Sequence, residues 1–401
     1  VNVAVVGGGM SGLAAAWELL RLGHRPVVFE KEVQPGGLST WFEADGVGWD
    51  RFYHVVLSTD EALAGLIAEI GLADQIGWRE TKTGFWIDGR LVSLSTTTEF
   101  ITFPGLSLWD KFRLGLGILY TARLRDHSRL ERVYVREWLT RVFGRRNYER
   151  LWGPLLYSKL GTAREKASAA FIWATIQRLY GTRRSAAKKE MMGAVRGGYR
   201  TILTRLVELI RERGGEVRLA QPATRVRGDA AGATVVSSEG ERRFDRVVCT
   251  VPNPEALRLL DPIEDAEFRA RLEGVTYLGV VVVLVVLDRT LSPYYVINLT
   301  DTTLPFTGII EATNLAGPEQ LGGKALVYLP KYLPPGDPLA SAPDEQVRDQ
   351  FLAQLRRVFP DLDAHGVGAT HVFRAPLVQP LHELRYSEHM PPMRTPLPNV
   401  F

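Results

Sequence analysis

Cysteine is almost missing from this chain. Cys249 is the single one among 401 residues, which excludes an intramolecular disulfide and any multi-cysteine metal site. An excess of charge is missing as well. Lys and Arg number 49 against 45 Asp and Glu, and the resulting +4 gives no warrant for nucleic-acid binding. Long apolar runs are also lacking. The longest, YLGVVVVLVVLD at residues 277–288, is too short to cross a bilayer as a helix, and its valines favour a buried strand. The chain opens directly on a strand-like run, so no signal peptide is read and a cytoplasmic location is expected. No metal is expected. What remains is ordinary for a soluble protein, 45% hydrophobic and 23% charged, and 401 residues are enough for two domains or for one enlarged by insertions.

The chemistry is concentrated at the start, VAVVGGGMSGLAAAWELLRLGHRPVVFEKEVQPGGLST at residues 3–40. A β-branched run at 2–6 leads into Gly7, Gly9 and Gly12, spaced G-x-G-x-x-G, and helical periodicity follows over 13–23. Residues 26–30 read as a second strand closed by Glu30, eighteen positions after Gly12. In this setting Gly7 allows a tight turn, Gly9 close approach of a pyrophosphate, and Gly12 tight helix–strand packing. The helix then turns its positive end toward the phosphates. Glu30 suits ribose hydroxyls and repels a 2′-phosphate, so NADP is disfavoured. Glycines alone would make only a turn. Strand, helix, second strand and terminal acid together make a nucleotide site.

The continuation EVQPGGLST places Gly36 and Gly37 shortly after the acid. Here the sequence resembles the superfamily of flavin-dependent amine oxidases, protoporphyrinogen oxidases and phytoene desaturases, with UDP-galactopyranose mutase a more distant relative. The resemblance implies an α/β fold, a Rossmann-like FAD-binding domain joined to a mixed substrate domain of antiparallel sheet and helices. It implies noncovalently bound FAD, because in that family the glycine pair runs along the pyrophosphate and the flavin edge. The cofactor contacts it implies are Gly7, Gly9, Met10, Ser11, Gly12, Glu30, Lys31, Gly36, Gly37, Leu38 and Ser39. A second FAD segment, matched by residues 194–252, adds Ala223 beside the adenine and Thr250 in the loop CTVP near the pyrophosphate. The expected FAD domain is 1–57 with 190–254, and the substrate domain 58–189 with 255–394. In the family a stretch like TPLPNVF at 395–401 precedes a last strand, a glycine turn and a helix facing the flavin; that segment is expected to follow.

Substrate-side candidates are sparser. In GVGWDRFYHVV, residues 46–56, Asp50 and His54 keep the ends of a family pattern like D-x-G-G-H, with Phe52 and Tyr53 in place of the glycine pair. His54 is the candidate catalytic group near the flavin, the alternative being a histidine held in the fold. Arg51, Tyr53, Trp152, Tyr157 and Lys159 are the candidate substrate contacts, with packing as the competing role for the last three. Residues 58–183 read as mostly helical. Within them 103–126 carries apolar residues on more than one face, flanked by Lys111, Arg113, Arg123 and Arg125. A buried helix is the preferred reading there and a helix lying on a membrane surface the other. Strands are expected at 280–287, 295–299, 308–312 and 325–328, a helix at 344–358, and a non-helical return at 371–382. Glu311 and Asn314 interrupt an apolar strand, where core hydrogen bonding is preferred to chemistry. Cys249 reads as structural.

The expected activity is a hydride transfer from a substrate C–H bond to flavin N5, of oxidase, dehydrogenase or desaturase type, on a small and apolar or lipid-like molecule. The alternatives are a redox-neutral flavin mutase acting on a sugar nucleotide, a non-catalytic FAD-binding scaffold and, least favoured, a plain NAD dehydrogenase.

Overall fold

The opening valine-rich run forms strand β1 (Asn2–Val6), with Val3 to Val6 buried, and pairs in parallel with β2 (Arg25–Phe29). The computed structural model describes residues 1–44, 46–181, 191–260 and 263–401. Two more short strands, β3 (Glu216–Arg218) and β4 (Arg246–Cys249), complete a parallel sheet in the order β3-β2-β1-β4. Buried parallel strands need cover on both faces, and the chain supplies it. Helix α1 (Met10–Arg21) and the helix Tyr199–Glu212 close one face through Leu13, Trp17, Ile202 and Leu206. The antiparallel sheet spanning 223–244 closes the other through Val226, Val235 and Phe244. Residues 395–401 return here as well: Val400 bridges Val247, and the Cys249 amide donates to the Phe401 carbonyl at 2.7 Å.

The second layer is a seven-stranded sheet. Its long members are β5 (Tyr277–Leu287), β6 (Ala325–Leu333) and β7 (Val367–Pro380), with β5 antiparallel to both neighbours. The valine run of β5 has no polar face because both faces are covered. Val280, Val282 and Leu284 meet Phe42 and Trp49, whereas Val281, Val283 and Val285 meet Phe351 and Leu355 of the helix Asp344–Val358. The proline-bearing return expected at 371–382 is accordingly strand down to Pro380.

The mostly helical reading of 58–183 is corrected between 76 and 93, where Ile76–Glu80 is a strand paired with Met191–Val195, and Thr83–Ile87 and Arg90–Ser93 form a hairpin at the far edge of this sheet. Asp88 and Gly89 both take positive φ, 51° and 72°, the turn that Asp-Gly between alternating apolar residues favours. Beyond the hairpin the segment is helical. Helices α2 (Leu108–Arg123), α3 (Gly153–Leu160) and α4 (Ala169–Gly181) surround a core of Trp138, Phe143, Leu156 and Ile172. The preference for a buried α2 is also corrected. One face buries Leu114, Gly117 and Thr121, while Leu108, Trp109 and Phe112 on the other are 74%, 68% and 56% exposed. The chain has apolar residues for two faces of α2 and covers one. Among the described residues no helix is long and apolar enough to cross a membrane. Residues 182–190, where the expected boundary at 189/190 falls, lie outside the described residues.

Glu311 is 1% exposed and accepts hydrogen bonds from the amides of Leu291 (3.1 Å) and Ser292 (3.2 Å) and from Asn314 Nδ2 (3.0 Å). It pins the loop before Tyr294 to the sheet. Burial pushes its carboxyl up to about 8, above the value of an unfolded chain. The folded state therefore holds the proton more tightly, and stability present below the unfolded value is lost as pH rises toward 8. Glu311→Gln is expected to flatten the fall in melting temperature between pH 5 and pH 8. Parallel pH profiles for the two proteins would reject this.

Candidate functional site

The glycine segments converge at the C-terminal edge of the parallel sheet. Gly7 N donates to Phe29 O at 2.9 Å, and Gly36 N to Gly8 O at 2.8 Å, and Gly9 and Gly36 form a parallel bridge. Gly36 has φ +125°, a backbone that other residues rarely adopt. A Cβ on Gly12 would lie 1.9 Å from Gly7 O, so helix and loop touch only because residue 12 has no side chain. Gly9 caps α1 without a side chain, and the Leu13 amide is the first to bond back, to Gly9 O. The leading amides of α1, at Met10, Ser11 and Gly12, thus face a cradle free of side chains, as an anion requires.

Glu30 closes the cradle at the end of β2. It is 7% exposed, and its two oxygens accept from Gly8 N at 2.6 Å and Glu32 N at 2.9 Å, leaving further lone pairs for hydroxyl donors. The segment before Ala223 crosses beside it, with Gln221 N donating to Glu30 O at 2.8 Å. Thr250 abuts Gly7 and Gly12, but its hydroxyl donates to the carbonyls of Val6 (3.1 Å) and Gly7 (3.2 Å). Gly37 and Leu38 enter a short turn ending at the buried Ser39, with Leu38 exposed, and Lys31 is exposed too. The donor set and the side-chain-free cradle fit a dinucleotide. Cys249 follows on β4, its thiol pushed up to about 12 by burial, in keeping with a structural role.

On the substrate side, Asp50 is buried and accepts the Tyr199 amide at 2.9 Å, capping the helix that begins there. Burial raises its carboxyl pKa, against the opposing pull of His54. His54 Nδ1 lies 3.6 Å from Asp50 Oδ2, too long for a hydrogen bond, with its ring 4.6 Å from Tyr199. Tyr53 meets Tyr332 of β6 with 2.9 Å between hydroxyls, and burial raises both phenols. Lys159 Nζ lies over the Tyr332 ring. The remaining candidates stand elsewhere. Arg51 is held by Trp41 O (3.0 Å) and the Phe373 ring, Trp152 packs against Phe143, and Tyr157 lies under Arg164 and Lys331. Tyr328 and Tyr332 were not singled out from the sequence. Their i, i+4 spacing on a strand puts both on one face, and that signal was available in VYLPKYL.

A family model described as flavin containing amine oxidoreductase matches residues 10–401. The chain belongs to that family. It is a flavin-dependent oxidoreductase. Among curated relatives of this flavin oxidoreductase is a protein named probable zeta-carotene desaturase from Synechococcus elongatus, 24% identical over 457 residues, covering 100% of this chain and 92% of the relative. Among solved structures, an oxidoreductase from Methanosarcina mazei superposes with TM-score 0.77 at 18% identity, covering 100% of this chain and 94% of that one. Reduced UDP-galactopyranose mutase superposes with TM-score 0.75 at 17% identity over 97% and 86%. At such identities the likeness is one of fold, and the fold is the Rossmann-like α/β arrangement expected.

Proposed function

We propose that this flavin oxidoreductase binds FAD noncovalently and oxidises an apolar small molecule at a C–H bond. The observation that carries the reading is the convergence of Gly7–Gly12, Gly36–Gly37 and Glu30 around the uncapped start of α1. The leading amides of α1 would hold the pyrophosphate, Glu30 a ribose, and the strand start at Ala223 would border the adenine. The domain division at 57, 190 and 254 belongs to the same reading. When bound, the flavin supplies the hydride acceptor, N5. The chain's own part is placement and exclusion of water: Tyr53, Tyr328 and Tyr332 form an aromatic wall on the sheet face beside His54. His54, paired at long range with Asp50, is the polar group assigned nearest the reacting atoms. Arg51 is already engaged by a backbone carbonyl, which speaks for oxidation over diphosphate binding in a sugar-nucleotide mutase. The test is the visible spectrum of purified protein followed by acid precipitation. Flavin bands that pass into the supernatant support the reading; their absence after incubation with FAD defeats it.

The peripheral membrane contact belongs to the same proposal, through the outer face of α2. Leu108, Trp109, Phe112, Leu116 and Tyr120 form its exposed stripe. Shallow depressions flank it: Arg123 and Arg125 at one end suit anionic headgroups, whereas Arg145, Arg146 and Arg150 at the other are paired with Glu149, Asp110 and Asp88. The double change Trp109→Ser and Phe112→Ser is expected to weaken sedimentation with phosphatidylglycerol vesicles about tenfold or more, with flavin content unchanged. Equal sedimentation of both proteins would remove the membrane from the proposal.

A further inference from the structure

Lys159 stands where three parts of the fold meet. Its Nζ is 5.7 Å from the ring centre of Phe171 in α4 and 5.9 Å from that of Tyr332 in β6. Tyr332 in turn reaches Tyr53, the neighbour of His54. Helical lobe, sheet and nucleotide layer thus share this corner, the kind of junction where small-molecule sites form. No carboxylate among the described residues answers the ammonium. Among the described residues Nζ has aromatic faces for neighbours and no hydrogen-bonding or ion-pair partner, and the charged group that acts on it is Arg178, of like sign. Two more polar atoms, on His382 and Ser168, are buried without a partner among the described residues. One is His382 Nδ1, whose ring centre is 5.8 Å from that of Phe171; the other is Oγ of the fully buried Ser168. The Ser168 amide donates to His382 O at 2.8 Å, which ties the two together, and Ser168 immediately precedes α4, at the positive end of its dipole. Glu131, the carboxylate acting on His382, is occupied by the amide and hydroxyl of Ser387.

Holding a half-buried cation against aromatic faces without a counter-charge is costly, and the cation–π contacts offset only part of that cost. An anion entering the corner would answer the ammonium, with His382, on which Lys159 acts, and its neighbour Ser168 as the unpartnered polar groups on hand. We propose that Lys159, with His382 and Ser168, forms a subsite for an anionic oxygen group, carboxylate or phosphate, carried at one end of an otherwise apolar substrate. This rests on the reading above that the tyrosine wall faces the substrate. It makes the substrate an amphiphile: the aromatic faces of Tyr332, Tyr53 and Phe171 take its body, and Lys159 takes its head.

The test titrates the purified, flavin-loaded full chain with hexanoate, hexyl phosphate, 1-hexanol and hexyltrimethylammonium, read by calorimetry and by perturbation of the flavin bands. At least one of the two anions is expected to bind about tenfold or more tightly than the alcohol, with no binding of the cation. The better anion names the headgroup. Lys159→Gln is expected to remove the preference, and Lys159→Arg to keep most of it, with flavin content and melting temperature reported for each. Equal binding of hexanoate, hexyl phosphate and hexanol by the wild-type protein overturns the subsite, as does an unchanged anion preference in a folded Lys159→Gln protein. Should the chain hold no flavin, the function proposed above falls. Calorimetric anion binding that Lys159→Gln abolishes would still uphold the subsite.

Discussion

Gly12→Ala is expected to strip the flavin from the protein and to lower its melting temperature by several degrees or more. The added methyl would lie 1.9 Å from Gly7 O and 2.8 Å from Thr250 Oγ1. Gly7 O belongs to a backbone fixed by the parallel sheet, so neither strand nor helix gives way without separating. Overpacking of this kind costs about 1–3 kcal/mol, and more where backbone is the obstacle. The separation also spoils the cradle, because the leading amides of α1 would move away from Gly36. The ratio of absorbance at 450 nm to that at 280 nm after gel filtration reports flavin retention, and calorimetry reports stability. Gly65→Ala is the matched control. Gly65 lies within the helix Glu61–Glu69 with nothing inside 4 Å of its added Cβ, and alanine there is expected to stabilise by about 0.5–1 kcal/mol. A Gly12→Ala protein that keeps full flavin occupancy would show that close packing of α1 on the loop is not what forms the site.

The second large effect is expected at Glu30. Glu30→Ala leaves the amides of Gly8 and Glu32 without the acceptors they have at 2.6 and 2.9 Å, at about 1–3 kcal/mol for each group that stays buried. It also removes the carboxylate assigned to the ribose. FAD affinity is expected to drop on the order of tenfold to hundredfold, read by fluorescence of released flavin on dialysis. Glu30→Gln should fall between, since its amide offers one accepting oxygen to two backbone donors and turns an N–H toward the other. Wild-type retention of FAD by Glu30→Ala would defeat the ribose assignment.

Much of the nucleotide half was legible because its signals are local. G-x-G-x-x-G, the helix after it and Glu30 closing β2 lie within a single βαβ unit, so spacing along the chain is spacing in space. Even there the helix begins at Met10, not near residue 13, because Gly9 ends the turn without a side chain. The valine run was legible for another reason. A stretch with no polar face has to be covered on both sides, whatever covers it. The hairpin at 83–93 is marked in the sequence only by Asp88–Gly89, a two-residue signal inside a longer segment that reads as mostly helical.

The corner at Lys159 is different in kind. Lys159, Tyr332, Tyr53 and His382 come from four separate segments, and nothing in the spacing of 53, 159, 332 and 382 brings them together. Their meeting depends on how helical lobe, sheet and nucleotide layer pack. The exposure of α2 is likewise settled by packing, since an apolar face reads the same in sequence whether another element covers it or not. By itself, then, the sequence determined the opening βαβ unit and the convergence of its glycines on Glu30, because local hydrogen bonding and backbone sterics act over a few residues. Tertiary structure alone decided that the half-buried Lys159 meets aromatic faces and which face of α2 stays outside, because burial is a property of neighbours distant in the chain.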